Sequence, residues 1–190
     1  MSFCLVHLDE LAFRLIIDYL PFSDVLCLCS CSNRLHDIIH GMFTMSLPLP
    51  LDEDNVMSVL GKPVLQLTSS GTTDNIRSQL KRVNVTRLKN LCLACHNSED
   101  EKCVRRCSDY HQSILYNIYH KHFRSGTAFS LDRLCLTVDG KIQRLLQAMD
   151  AMDNLRTIEV HFPFNSFNYL ELIESIFEHK TIRKVRNYFL

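Results

Sequence analysis

Cys92-x-x-Cys95 is followed by Cys103-x-x-x-Cys107, with His96 and His111 beside them. Thiolates and imidazoles are the ligand types that zinc prefers. The set Cys92, Cys95, Cys103 and Cys107 could therefore hold one zinc ion, and the polar stretch His96–Lys102 would serve as its loop. The competing reading puts Cys92 in a strand and packs the other thiols at strand ends around a surface loop. That reading is carried forward, and with it no bound metal and no cofactor. Catalytic chemistry has less behind it. Cys–His nucleophilic pairs are assembled by the fold and are not visible from composition. There is no Gly-x-Ser-x-Gly, no His-Glu-x-x-His and no phosphate loop, and five glycines leave little for a phosphate cradle. The cluster Tyr116, Tyr119, His120, His122 and Phe123 reads as a helix with a core face and a wet face. The chain is not expected to be an enzyme.

Composition narrows the partners. Lys+Arg and Asp+Glu are each 21, giving zero formal charge. A nucleic-acid or anionic-membrane surface calls for a basic field, so neither partner is expected. No apolar run approaches the roughly 20 residues of a membrane span. The N-terminal sequence reaches Asp9 after a short apolar run, without a basic start. A cytoplasmic or nuclear protein with reduced thiols is the expectation. Asn84-Val85-Thr86 is then a chance sequon.

The elements that must position any site fall into two patterns. In the first, Leu8, Leu11, Leu15, Ile16, Tyr19 and Leu20 recur at helical spacing, and Pro21 stops that helix. Ser23 reads as the cap of a second helix carrying Val25, Leu26, Leu28 and Cys29. Ser32 or Asn33 caps a third with Leu35, Ile38 and Ile39, ended at Gly41. Three helices this short carry more apolar positions than their own core can use, so the surplus wants a partner. The order of residues resembles the F-box, a helical module that docks on a Skp-family adaptor of cullin-type ubiquitin ligases. The F-box Ile-x-x-Tyr-Leu matches Ile16, Tyr19 and Leu20. Its Asp-Leu-x-x-Leu matches Asp24, Val25 and Leu28. Its ending falls on Cys31, Ser32, Asn33, Arg34 and Leu35. Leu8-Asp9 stands where the family opens with Leu-Pro, and Leu35 replaces the closing aromatic. The resemblance implies adaptor contacts from Leu8, Ile16, Leu20, Val25, Leu28, Cys31 and Leu35.

The second pattern is a repeat. Leu88-x-x-Leu91-x-Leu93 returns as Leu131-x-x-Leu134-x-Leu136 and as Leu155-x-x-Ile158-x-Val160. Weaker forms are Ile182-x-x-Val185 and Val64-Leu65-x-Leu67. The later intervals, 24 and 27 residues, resemble the period of leucine-rich repeats. The 43 residues from Leu88 to Leu131 hold an insertion or a degenerate repeat. Helical stripes separate the motifs, with Asp139 and Ser166 as caps.

The expected fold is therefore α/β. A helical module (1–45) precedes a linker or first repeat helix (46–60), marked by Pro48 and Pro50. A short leucine-rich-repeat solenoid (61–190) of four to five irregular repeats follows, with parallel strands on the concave side. The apolar tail Arg186–Leu190 either folds back over the last strand or marks a shortened relative of a longer protein. Because side chains alternate along a strand, residues between the leucines face outward. Asn90, Cys92, Ala94, Arg133, Cys135, Thr137, Thr157, Glu159 and His161 form the expected substrate-binding face. An F-box followed by leucine-rich repeats implies a ligase adaptor that holds a target protein. A repeat module without a ligase, or a zinc-stabilised binding module, are the alternatives.

Overall fold

The computed structural model describes residues 9–49, 61–70, 76–95, 100–126, 129, 131–139, 142–162 and 169–189. Leu8, Pro50, His96 and Ser166 lie outside them.

Asp9 caps the first helix, α1 (Glu10–Tyr19), by accepting the Ala12 amide at 2.7 Å. A carboxylate there also meets the positive end of the peptide dipoles. Pro21 forces the break that follows. Helix α2 (Phe22–Cys31) begins one residue before the expected cap, Ser23, and Pro21 supplies no side-chain bond. The capping oxygen comes instead from far along the chain, because Asp132 Oδ2 accepts the Phe22 amide at 3.0 Å. Ser32 caps α3 (Asn33–Met42), accepting the Leu35 amide at 3.2 Å. Gly41 lies inside α3, and the chain turns extended only at Phe43. Phe13, Ile17, Val25, Leu35, Ile39, Met42 and Phe43 close a core of their own, joined by Leu65 from the sheet.

The strands are β1 (Thr44–Leu49), β2 (Val64–Ser70), β3 (Asn90–Ala94), β4 (Arg133–Thr137), β5 (Thr157–Phe162) and β6 (Lys184–Phe189). They form one sheet in sequence order, with every neighbouring pair parallel. The fold is mixed α/β. Residues 46–49, expected as linker, continue β1, so the sheet starts within the span given to the helical module. Pro48 is tolerated because β1 is an edge strand, where a missing N–H breaks no second ladder. The tail does not fold back over the last strand. It is the last strand, parallel to β5.

The apolar motif sets the register. Leu67 stands beside Leu91, Leu91 beside Leu134, Leu134 beside Ile158, and Ile158 beside Val185. A parallel ladder of this kind must be covered, because each strand supplies an unbroken row of apolar side chains. The cover comes from α4 (Ile76–Arg82), α5 (Glu101–Ser125), α6 (Gln143–Asp150) and α7 (Tyr169–Glu178). Leu80, Ile114, Leu115, Ile118, Leu145, Met149, Leu172 and Ile176 join the strand residues in one core. Helix α5 accounts for the long interval: β3 pairs directly with β4, so no strand is lost there. Gly126 ends α5 at φ 64°, a conformation that a side chain would strain, with its N–H on the His122 and Phe123 carbonyls. Asp139 caps no helix. Its amide donates to Ser108 Oγ at 2.7 Å and its carboxylate meets Arg105 at 3.3 Å.

Helices and sheet are tied by buried polar groups. Lys89, 3% exposed, donates from Nζ to the Asp18 carbonyl at 2.9 Å and the Leu20 carbonyl at 2.7 Å. These are carbonyls at the end of α1, which its helix leaves unpaired. Arg87 pairs with the Asp18 carboxylate. Burial pushes the Lys89 ammonium down and the Asp132 carboxyl up, and each group's charge opposes the other's shift. Lys89→Met is expected to strip both carbonyls of their donor and to cost about 2–3 kcal/mol in urea unfolding, since the lost bonds come from a charged donor.

Candidate functional site

The sheet face turned away from α4–α7 carries the residues between the leucines. Parallel register lines them up across strands. Asn90 stands beside Arg133 and Arg133 beside Thr157; Cys92 stands beside Cys135, Cys135 beside Glu159, and Glu159 beside Arg186. Thr137 stands beside His161. The structure thus brings together the whole set expected from the sequence. It does not leave all of them open. Asn90, Cys135, Thr137 and Glu159 are buried among their neighbours, while Cys92, Arg133, Thr157 and His161 are half-buried and Ala94 is exposed.

Glu159 organises the charge on this face. Its Oε2 accepts from Arg133 at 2.8 Å and its Oε1 from Arg186 at 3.0 Å. Burial alone would raise its carboxyl, but the two guanidiniums outweigh that and hold it below the usual range. The Arg133 guanidinium is in turn held higher by its bond to Glu159. Among the described residues, Asn90 Oδ1, Arg133 Nε and Thr137 Oγ1 are buried polar atoms without a hydrogen-bond partner. Buried polar atoms in folded proteins are nearly always paired, so these three are exceptions within the packed face.

Two thiols meet here. Cys135 stands beside Cys92 on the next strand, and this neighbouring thiol brings the Cys92 thiol down to about 7 against its own burial, with help from Arg133. The same neighbour and its deeper burial push Cys135 up. His161 Nε2 lies 3.8 Å from Cys135 Sγ, and burial lowers its pKa. None of the described cysteines is in a disulfide. Helix α2 reaches the same region. A groove of about 550 Å³ runs between it and the sheet, lined by Phe22, Asp24, Leu26, Asn90, Arg133 and Thr157 among others.

The cysteine set expected for zinc is divided. Cys92 turns to the sheet face, while Cys95, Cys103 and Cys107 gather at the far end of β3 and the first turns of α5. His111 is fully buried and serves the strand end, where its Nδ1 accepts the Thr137 amide at 3.0 Å. Burial brings it down to about 3, so it stays neutral.

The expected adaptor contacts also separate. Val25 and Leu35 are buried in the core of the helical module and are not available for a partner to touch. Ile16, Leu20 and Leu28 are half-buried, and Cys31 is exposed. Leu8 lies outside the described residues. The apolar side chains that do face outward on α1 are Leu11, Leu15 and Tyr19, at 70%, 52% and 85% exposure, with Leu26 on α2. α1 is apolar over most of its circumference, from the outward Leu11, Leu15 and Tyr19 round to the inward Phe13 and Ile17, with Arg14 and Asp18 on the remaining side. The signal was present in the sequence: Leu11, Leu15 and Tyr19 recur every four residues, offset from Phe13 and Ile17. Lys89, Asp132 and Arg186 were missed outright, since their partners Asp18, Leu20, Phe22 and Glu159 lie far away in the sequence.

No protein-family model and no curated protein matches the chain. Among the described residues, no helix is long and apolar enough to cross a membrane.

The Cys92 thiol provides a test of this face. Its thiolate fraction grows as pH rises through about 7, so its alkylation rate by iodoacetamide should reach half its maximum near that pH. Cys135→Ala removes that neighbour and should move that midpoint up by a unit or more. A wild-type midpoint above about 8.5, near the ordinary thiol value, would show that Cys135 does not lower the Cys92 thiol.

Proposed function

We propose that this chain is a substrate-recognition adaptor of a cullin-type ubiquitin ligase. In this reading α1–α3 are an F-box that docks on a Skp-family subunit. The strand–helix units are an irregular leucine-rich-repeat solenoid whose free sheet face holds a target protein. The chain itself catalyses nothing; it raises the effective concentration of the target at the ligase.

The observation that carries the docking half is the apolar stripe Leu11, Leu15 and Tyr19. The helical module completes its core without them, yet they stand exposed four residues apart along one helix. Such a stripe is the signature of a face that receives another helix. The run Tyr19–Leu28, which resembles the F-box, directs that reading to a Skp-type partner. The buried Val25 and Leu35 then hold the face in shape. For the cargo half, the support is the Arg133–Glu159–Arg186 network beside the half-buried Cys92, Thr157 and His161. Such a face suits a mixed polar and charged protein surface.

Coexpression with a Skp-type adaptor tests the docking half. The wild-type chain should copurify with it in equal proportion. A Leu15→Asp, Tyr19→Asp double variant should lose it at least tenfold while keeping its circular dichroism, because neither side chain belongs to the core. If the wild type does not copurify, or both do so equally, the chain is an interaction module without this ligase link.

A further inference from the structure

Cys95, Cys103 and Cys107 come from the end of one strand and the start of the next helix and converge. Cys95 follows the last residue of β3, and Cys103 and Cys107 lie one turn apart on α5. Their three sulfur atoms all lie within 4.8 Å of one another, and Cys95 Sγ is 3.8 Å from Cys103 Sγ. Two thiolates on one tetrahedral zinc ion, each about 2.3 Å from it, stand about 3.8 Å apart. A disulfide would need its sulfurs at about 2.05 Å. The cluster therefore has the spacing of metal ligands rather than of a cystine.

We propose that Cys95, Cys103 and Cys107 bind one thiophilic d10 cation, Zn2+, with its fourth position left for an external ligand. Three features of the surroundings favour it. The i, i+4 spacing puts Cys103 and Cys107 on one face of α5, so the helix presents both sulfurs together. Cys103 lies in the first turn, where the peptide dipoles stabilise negative charge, and three thiolates around Zn2+ carry a net charge of −1. The cluster is graded in burial, with Cys107 inside and Cys95 and Cys103 half-exposed, which leaves a path for the ion. Uptake of the ion must expel protons, and affinity rises with pH. The site differs from the one suggested by the spacing of the four cysteines in the sequence. Cys92 is excluded, because strand alternation turns it onto the sheet face with Cys135. The bound ion would pin the start of α5 to the end of β3.

The full chain, reduced and stripped by chelator, is titrated with Co2+ and then with Zn2+. The expected result is one equivalent of Co2+ with strong thiolate-to-cobalt charge-transfer absorbance, displaced by Zn2+. Cys95→Ser and Cys103→Ser should each weaken binding at least tenfold, and Cys92→Ser should leave it unchanged. Alkylation mapping of the wild type supplies a readout that does not depend on variants folding. Zn2+ should protect the half-exposed Cys95 and Cys103 and leave Cys27 and Cys31 open to the reagent. Absence of a bound equivalent would overturn the proposal. So would undiminished binding in Cys103→Ser, or protection that falls on Cys92 and Cys135.

Discussion

One buried ammonium, that of Lys89, connects the two halves of the molecule. It leaves the chain just before β3 and ends on the Asp18 and Leu20 carbonyls of α1. A charged group taken out of water is costly unless it is met by several acceptors. Lys89 meets that condition only if α1 ends where it does and lies where it does. The Asp132 carboxylate adds a second link, since it caps α2 through the Phe22 amide and faces the same charge. Apolar contact through Leu65 brings helices and sheet together, but such contact is non-directional. The polar links fix the angle.

The fixed angle has consequences at both ends. On the sheet, α2 overhangs the outward-facing strand residues and forms one wall of the groove. On the outside, α1 turns Leu11, Leu15 and Tyr19 to solvent, because Phe13 and Ile17 are committed inward. A partner on that stripe and a partner on the sheet face would then be held in a set relation to one another. That is what an adaptor working by proximity needs, and a flexible link would dilute the effect.

Much of the sheet was legible because its signal is local and repeated. The spacing of Leu91, Leu134 and Ile158 specifies both the strand and the side it buries, and adjacent strands then share a register. The members of the outward face followed from the same alternation. Their burial did not, because Cys135, Thr137 and Glu159 are covered by cross-strand neighbours that no single strand reveals. Proline misled at position 48, where an edge strand tolerates what a central one would not. The apolar residues of α1 show a different limit. An apolar stripe chosen by spacing cannot tell inward from outward when the helix has apolar residues on both sides. The thiol cluster was half legible: helical spacing pairs Cys103 with Cys107, but only the end of β3 shows that Cys95 and not Cys92 joins them.

The dependence of both surfaces on one rigid junction makes the cooperativity of opening the quantity that matters most. Native-state hydrogen exchange across the full chain measures it directly. With Lys89 and Asp132 holding the junction, the slowest amides of α1–α3 should open with the same free energy as those of β3 and β4. They should also respond to urea with the same slope. If α1–α3 exchange instead through a separate opening several kcal/mol below that of the sheet, the helices are an independent module and the fixed geometry fails.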